Sequence, residues 1–189
     1  MNQNAKPKRQ RLSPDARREQ LLACAVTAYA ASGVERAGHG DVAKLAGVST
    51  ATVFNYFPTR EALTDAVFVA IRSSVMAMFN NLPATARSAS QQIKIMAQAY
   101  DYLLVTQPDM IKVFLNWSVA FGPDVRPQFL ALQDDILTEI TRHLPGGHTD
   151  RSDARVIMAA GDMLAIMKLD NTDADTIQRF IDRVANALE

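Results

Sequence analysis

Apolar residues along this chain recur mainly at intervals of three and four, the spacing that places them on one side of an α-helix. The first such stripe, over residues 21–29, follows Ser13 and Pro14, which is a sequence typical of a helix start, and it stops at Gly33. No stretch alternates apolar and polar residues with a period of two between turn signals. The sequence therefore predicts an all-α protein. We expect about nine helices, near residues 14–32, 41–46, 50–57, 60–79, 89–105, 109–121, 124–144, 152–168 and 173–188.

Residues 41–57 carry the strongest local pattern. They predict two short helices separated by a tight turn at Gly47, because glycine adopts a positive φ at little cost. Ala43 is small enough for the helices to approach closely, Ser49 can cap the second helix, and Pro58 stops it. This arrangement is the helix-turn-helix pattern, in which the second helix enters the major groove of DNA. Sequence-specific binding of double-stranded DNA is therefore the leading hypothesis.

The distribution of charge agrees with this hypothesis. The chain has 20 basic and 20 acidic residues and no net charge. Residues 1–60 hold nine Lys and Arg against four Asp and Glu, an excess of +5, while residues 61–189 hold eleven against sixteen, an excess of −5. A basic front and an acidic back are expected when only one end of a protein meets phosphate.

Composition places the chain among ordinary globular proteins. It has 189 residues, of which 48% are hydrophobic and 21% charged. No uninterrupted apolar run approaches the roughly 18 residues of a membrane span, and the start lacks the apolar segment of a secretory signal. The single cysteine, Cys24, excludes an internal disulfide and fits the reducing cytoplasm, where we expect the protein to be. Cys24 can be a small apolar helix residue or a redox sensor.

Patterns typical of catalysis are absent from the sequence. The histidines at 39, 143 and 148 form no His-Glu-x-x-His motif, and there is neither a Cys-x-x-Cys pair nor a glycine-rich phosphate loop. We therefore predict no enzyme activity, no metal and no cofactor. A helical adaptor that binds another protein is the alternative to a DNA-binding regulator, but it would leave the basic N-terminus and the run from Ser49 to Arg60 unexplained.

The run Phe54–Leu63, which follows the helix-turn-helix and leads into a long helix, resembles the TetR family of repressors. Within that family the chain resembles the LuxR/HapR/SmcR-type quorum-sensing regulators of vibrios. The resemblance covers about residues 9–68 and is patchy beyond them. The segments that carry it are Arg11–Pro14, Gly38–His39, Ser49–Glu61, Ile111–Ser118 and Pro127–Phe129.

The second helix of the motif offers side chains of several kinds to DNA. Asn55 is the candidate for a base contact, because an amide pairs with adenine through two hydrogen bonds. Ala51 can touch a thymine methyl group. Ser49, Thr50 and Thr52 provide hydroxyl groups near the start of the helix, where phosphates are bound.

Further DNA contacts are implied by the resemblance. Tyr56 resembles the family tyrosine that binds a phosphate, and Arg60 stands where the family has a basic residue that contacts the DNA backbone. Arg9 and Arg11 lie on a basic arm that would reach the adjacent minor groove. Lys44 fits either a DNA contact or a solvated charge.

Apolar residues of the motif are expected to pack inside it instead of touching DNA. Val48, Val53, Phe54 and Phe57 form the expected core of the small bundle. His39 is expected to be structural or to lie near a phosphate.

The resemblance divides the chain into a flexible basic arm (1–13), a three-helix DNA-binding domain (14–58) and a helical regulatory and dimerisation domain (59–189). The last two helices are expected to form a homodimer interface, and the dimer would present two recognition helices to a pseudo-palindromic operator. The alternative is that their apolar stripes pack on the protein's own core. The predicted interface residues are Val156, Ala159, Ala160, Met163, Ile177, Phe180, Ile181 and Val184.

The same domain offers residues for a pocket that would bind a small apolar ligand. Aromatic rings, thioethers and a few amides are the groups that line ordinary ligand sites. A stripe of this composition can equally be plain core. The predicted lining residues are Phe79, Tyr100, Leu103, Met110, Phe114, Asn116, Trp117, Phe129, Gln133, Met163 and Met167.

Overall fold

The computed structural model describes residues 12–145 and 151–188, and within these ranges the chain forms nine α-helices and no strand. The all-α class and the number of helices predicted from the sequence are confirmed. The helices are α1 (Pro14–Ser32), α2 (His39–Ala46), α3 (Thr50–Tyr56), α4 (Arg60–Asn80), α5 (Ala89–Thr106), α6 (Pro108–Ser118), α7 (Arg126–His143), α8 (Arg151–Leu169) and α9 (Ala174–Ala187).

Capping side chains fix several helix ends. The Ser13 hydroxyl accepts a hydrogen bond from the Ala16 amide at 3.2 Å at the start of α1, and Gly33, with φ of 80°, ends that helix. The Asp173 carboxylate accepts from the Thr176 amide at 2.8 Å at the start of α9. Each cap satisfies an amide that the helix itself leaves without a partner.

Two predicted boundaries were wrong. Helix α2 begins at His39 and not at Asp41, because the Gly38 amide donates to the Asp41 carboxylate at 3.0 Å and the first helical turn closes there. Helix α6 ends at Ser118, earlier than predicted, and the Ser118 carbonyl accepts a hydrogen bond from Arg126 Nη1 at 3.1 Å.

The chain divides into two compact units between Val67 and Phe68. In the first unit α1 packs on α2, α2 packs on α3, and the first turns of α4 complete the core. The Tyr29 hydroxyl shares a hydrogen bond of 3.0 Å with the Thr64 hydroxyl, so the polar end of this buried ring has a partner. The fully buried residues of this unit include Leu21, Tyr29, Val42, Val53 and Leu63.

The second unit holds the rest of α4 and helices α5 to α9. Helix α7 packs on α8, and α5 packs on α9. Aromatic rings fill much of its centre, with Phe68 and Trp117 at 5.3 Å between ring centroids and Phe114 and Phe129 at 5.7 Å. Such tilted pairs contribute beyond the area that they bury.

Helix α4 is long and apolar enough, by length and composition alone, to cross a membrane, although no membrane span was predicted from the sequence. The core helix of a soluble protein passes the same test. One third of its most apolar stretch is buried, and the buried positions recur every four residues, as in a helix that covers a core with one face. These buried positions are Leu63, Val67, Ile71 and Val75.

Candidate functional site

A left-handed residue closes the turn between α2 and α3. Gly47 has φ of 64° and ψ of 38°, and the Val48 amide donates to the Ala43 carbonyl at 3.0 Å. This geometry ends α2 in the manner common for helices that stop at glycine. A side chain at Gly47 would make the left-handed conformation costly, so this residue sets the angle at which α3 leaves α2.

Helix α3 begins at the cap that the sequence predicted. The Ser49 hydroxyl accepts a hydrogen bond from the Thr52 amide at 3.2 Å and shares a second one with the Thr52 hydroxyl at 2.9 Å. The two hydroxyls are thus held against each other at the exposed start of the helix. The bond between the two hydroxyls uses one of their two hydrogens, so one of them remains free to donate a hydrogen bond to a phosphate.

Three contacts hold the inner side of α3. Val53 and Phe57 are fully buried. Buried His39 donates from Nε2 to the Phe57 carbonyl at 2.7 Å, and the guanidinium of Arg18 lies 5.0 Å from the centre of the Phe57 ring. Since α3 has only seven residues, these contacts to α1 and α2 fix its orientation. Of the two roles expected for His39, structural or close to a phosphate, these contacts support the structural one.

The expectation that Phe54 lies in the core was wrong. Its side chain is 46% exposed, and its ring stacks on His39 with 4.0 Å between centroids and 8° between planes. Phe54 directly follows the buried Val53, and one residue of helix turns the side chain by about 100°. One face of the ring is therefore covered by the imidazole while the other stays open.

The outward side of α3 and its flanking residues holds the predicted DNA-contacting residues that the structure describes. Thr52 and Tyr56 are half-buried at the edge of this surface. Arg9 and Arg11 lie outside the described residues. The exposed members of the set are Lys44, Ser49, Thr50, Ala51, Asn55 and Arg60.

Arg60 has a structural contact that the sequence did not reveal. Its Nη2 donates to the Val34 carbonyl at 2.7 Å, which ties the start of α4 to the loop between α1 and α2. A guanidinium carries five N–H donors, so this bond leaves others for a phosphate. Nothing in the local sequence around Arg60 or Val34 pointed to their pairing.

Cys24 lies half-buried on α1 and forms no disulfide. Burial raises the pKa of its thiol, which favours the unreactive neutral form. This supports the small-apolar alternative over the redox sensor. Among the residues that the structure describes, no group of three or more His, Cys, Asp or Glu side chains is placed to hold a metal ion.

The second unit contains a cavity of about 100 Å³. Its wall is formed by α4 to α9 and includes three of the predicted pocket residues, Phe79, Tyr100 and Phe114. The others lie elsewhere in this unit: Leu103, Trp117 and Phe129 are buried in its core, Met110, Gln133 and Met167 are half-buried, and Asn116 and Met163 are exposed. One polar residue of the wall, Asp162, was missing from the predicted set.

The predicted interface residues fall into two groups. On α8, Val156, Ala159 and Met163 are exposed, so that helix presents an apolar stripe to its surroundings. On α9, Ile177 is buried, and Phe180, Ile181 and Val184 are half-buried. The predicted residues that line the cavity are Ala160, Phe180, Ile181 and Val184.

Comparison with known proteins agrees with the helix-turn-helix seen in the first unit. The model of the family described as "Bacterial regulatory proteins, tetR family" matches residues 21–67, which include α2, the turn and α3. The HTH-type transcriptional regulator LuxR of Vibrio harveyi is 37% identical over 134 residues, or 69% of this chain. The chain belongs to the TetR family. The family resemblance predicted from the sequence, including its LuxR type, is confirmed.

The match spans 63% of LuxR, which is less than two thirds of that relative's length. TetR-family proteins and LuxR are regulators of transcription and not enzymes, in agreement with the prediction from the sequence.

Solved structures share the fold over more than nine tenths of the chain. GusR of Salmonella enterica superimposes with a TM-score of 0.73 at 12% identity, covering 94% of this chain and 97% of GusR. A TetR-family regulator from Agrobacterium tumefaciens gives a TM-score of 0.71 at 18% identity, covering 93% of this chain and 99% of the regulator. At these identities the likeness concerns the fold.

Proposed function

We propose that this TetR-family protein is a cytoplasmic, sequence-specific DNA-binding regulator of transcription that acts as a homodimer on a pseudo-palindromic operator. The observation that carries the proposal is the outward face of α3, which is exposed while its inner face is held by Val53, Phe57 and His39. A short helix fixed in this way can enter a major groove without reorganising. The likeness to LuxR-type regulators extends the proposal to quorum-sensing control.

Base reading is assigned to two exposed residues of α3. Asn55 presents its amide to the groove, where it can donate to N7 and accept from N6 of an adenine. Ala51 lies one turn earlier and offers a methyl group to thymine. Thr50, Tyr56 and Arg60 flank them and are assigned to phosphates, which set the register of the helix on the duplex.

Two variants test this assignment. Asn55→Ala should weaken binding to the specific site by about 1–3 kcal/mol, the usual worth of one base pair contact, and relax the preference at a single position. Asn80→Ala removes the same amide from the exposed end of α4 and serves as the matched control. Competition titrations with single-base variants of the operator give the readout. Equal binding by both variants at every base would contradict the role of Asn55.

The arm that carries Arg9 and Arg11 is proposed to enter the minor groove. Each phosphate contact contributes about 0.9 to the slope of log affinity against log salt. Replacing both arginines by alanine should therefore flatten the slope by up to about 2 and lower the affinity. An unchanged slope would mean that the arm stays away from DNA.

Dimerisation is assigned to the apolar stripe on α8. Val156, Ala159, Met163 and Ile166 are exposed at intervals of three and four, the pattern of a helix that packs on another helix. A two-fold dimer would place two copies of α3 about 34–36 Å apart, one turn of DNA. Phe180, Ile181 and Val184 of α9 line the cavity. The proposed dimer interface therefore depends more on α8 than on α9.

Control by a small apolar ligand is assigned to the cavity of the second unit. Its walls are mainly aliphatic and aromatic, as in ordinary ligand sites. A ligand that binds one dimer geometry more tightly than another would change the free energy of DNA binding. The change equals the difference between the ligand's binding free energies for the two geometries, typically about 1–3 kcal/mol.

A further inference from the structure

The cavity of the second unit is apolar except for two side chains. Its wall contains branched aliphatic residues, methionines and the rings of Phe79, Phe114 and Phe180. The polar groups in this wall are the hydroxyl of Tyr100, from α5, and the carboxylate of Asp162, from α8. A purely hydrocarbon ligand would interact with neither group, and burying an unpaired polar group costs stability.

Asp162 has no counter-ion among the residues that the structure describes. The lysines on the same two helices are already engaged, since Lys168 pairs with Asp101 at 2.7 Å and Lys94 pairs with Asp182 at 2.8 Å. Burial raises the pKa of Asp162 to about 6, so its carboxylate is still mostly ionised at neutral pH. The cavity wall therefore carries a desolvated negative charge that nothing described in the chain neutralises.

Tyr100 supplies the second open group. Its hydroxyl is buried and makes no hydrogen bond with any described residue. Burial and the nearby charge of Asp162 both raise the pKa of the phenol, which keeps it neutral. A phenol oxygen accepts a hydrogen bond, and the face of its ring attracts a cation.

The backbone next to Asp162 leaves room for a ligand. Gly161 lies in the cavity wall, and a methyl group added there would meet only the Tyr100 ring edge, at 3.9 Å. A volume of about 100 Å³ is smaller than the engineered cavity of about 150 Å³ that holds benzene. It suits a molecule of about four to five non-hydrogen atoms.

We propose that this cavity selects a small lipophilic amine, with the ammonium group against the Asp162 carboxylate and the Tyr100 hydroxyl and the hydrocarbon part among the phenylalanine and isoleucine side chains. The ammonium supplies the missing positive charge and three N–H donors. This inference rests on the proposed role of the cavity as a ligand site, and it names the chemical class of the ligand.

Calorimetric titration of the full-length protein without DNA tests it, using isobutylamine and its neutral isostere isobutanol. We expect isobutylamine to bind at least about tenfold more tightly than isobutanol, because a charge-assisted hydrogen bond in an apolar site is worth at least that factor. Asp162→Asn should remove this preference while leaving isobutanol binding intact. Asp170→Asn, an exposed carboxylate just after α8, should change neither affinity.

A second variant tests whether both compounds bind in the cavity, without changing any charge. Gly161→Leu fills the cavity and should abolish binding of both compounds, and far-ultraviolet circular dichroism checks that it folds. Equal affinity for amine and alcohol, an amine affinity that survives Asp162→Asn, or no binding of either compound would each overturn the proposal. These outcomes do not test the proposed DNA-binding function, which is measured separately on operator DNA with no ligand present.

Discussion

Replacing Asp162 by asparagine should stabilise the protein at neutral pH but not in mild acid. Burial in the cavity wall raises the pKa of Asp162 to about 6, whereas the pKa of an aspartate in the unfolded chain is about 3.9. Between these values the folded protein keeps a proton that the unfolded chain has released. The stability that this carboxyl contributes is therefore fully present below about pH 4 and is lost as the pH rises through about 6.

The size of the effect follows from the difference between the two pKa values. Two pKa units correspond to about 3 kcal/mol, at about 1.4 kcal/mol per unit. Asp162 is only half-buried, and solvent screening reduces the expected value to roughly 2 kcal/mol. Asparagine has nearly the same shape and no charge, so it should escape the penalty at pH 7.5 and gain nothing at pH 4.

Urea unfolding at fixed protein concentration, for the original protein and the variant at both pH values, measures the effect. The stability difference between them should grow by roughly 2 kcal/mol from pH 4 to pH 7.5. Asp170→Asn, which removes an exposed charge just after α8, is the control for overall charge. A difference that stays constant with pH, or that favours the original protein at pH 7.5, would refute the raised pKa of Asp162.

Three further substitutions have defined outcomes. Gly47→Ala should destabilise the first unit by about 1–2 kcal/mol, seen as a lower melting temperature, because φ is 64° there; no loss would contradict the turn. Gly161→Ala should stabilise α8 by about 0.5–1 kcal/mol in urea unfolding, since the added methyl meets only an ordinary contact at 3.9 Å; a loss would mean that the wall is tighter. Val156→Glu should yield monomers in sedimentation, while Val69→Glu, at a valine that is also exposed on α4, should not. Dimers with both variants would exclude the α8 stripe as the interface.

Local chemistry made the helix-turn-helix predictable. Ser13 and Ser49 cap their helices as expected, and Gly47 is left-handed, because each of these roles depends on the residue itself and its near neighbours. Boundaries failed where a tertiary or capping contact decided them. The Gly38–Asp41 pair moved the start of α2, and no periodicity encodes such a bond.

Residues of the site that depend on distant contacts were not predictable. The bond from His39 to the Phe57 carbonyl joins positions 18 residues apart, and the stack of His39 on Phe54 turns an expected core residue outward. The apolar stripe of α9 looked like an interface, but a stripe does not say whether it faces a partner or a cavity. Asp162 escaped notice because a single aspartate in a helix ordinarily points to solvent.

Selection of bound sequences from random duplex DNA, followed by titration of the selected duplex at two salt concentrations, tests the central claim most directly. We expect one enriched pseudo-palindrome whose half-sites are centred about one helical turn apart, bound tightly and with strong salt dependence. An absence of any enriched motif, with only weak binding that is the same for all sequences, would contradict sequence-specific binding by a dimer.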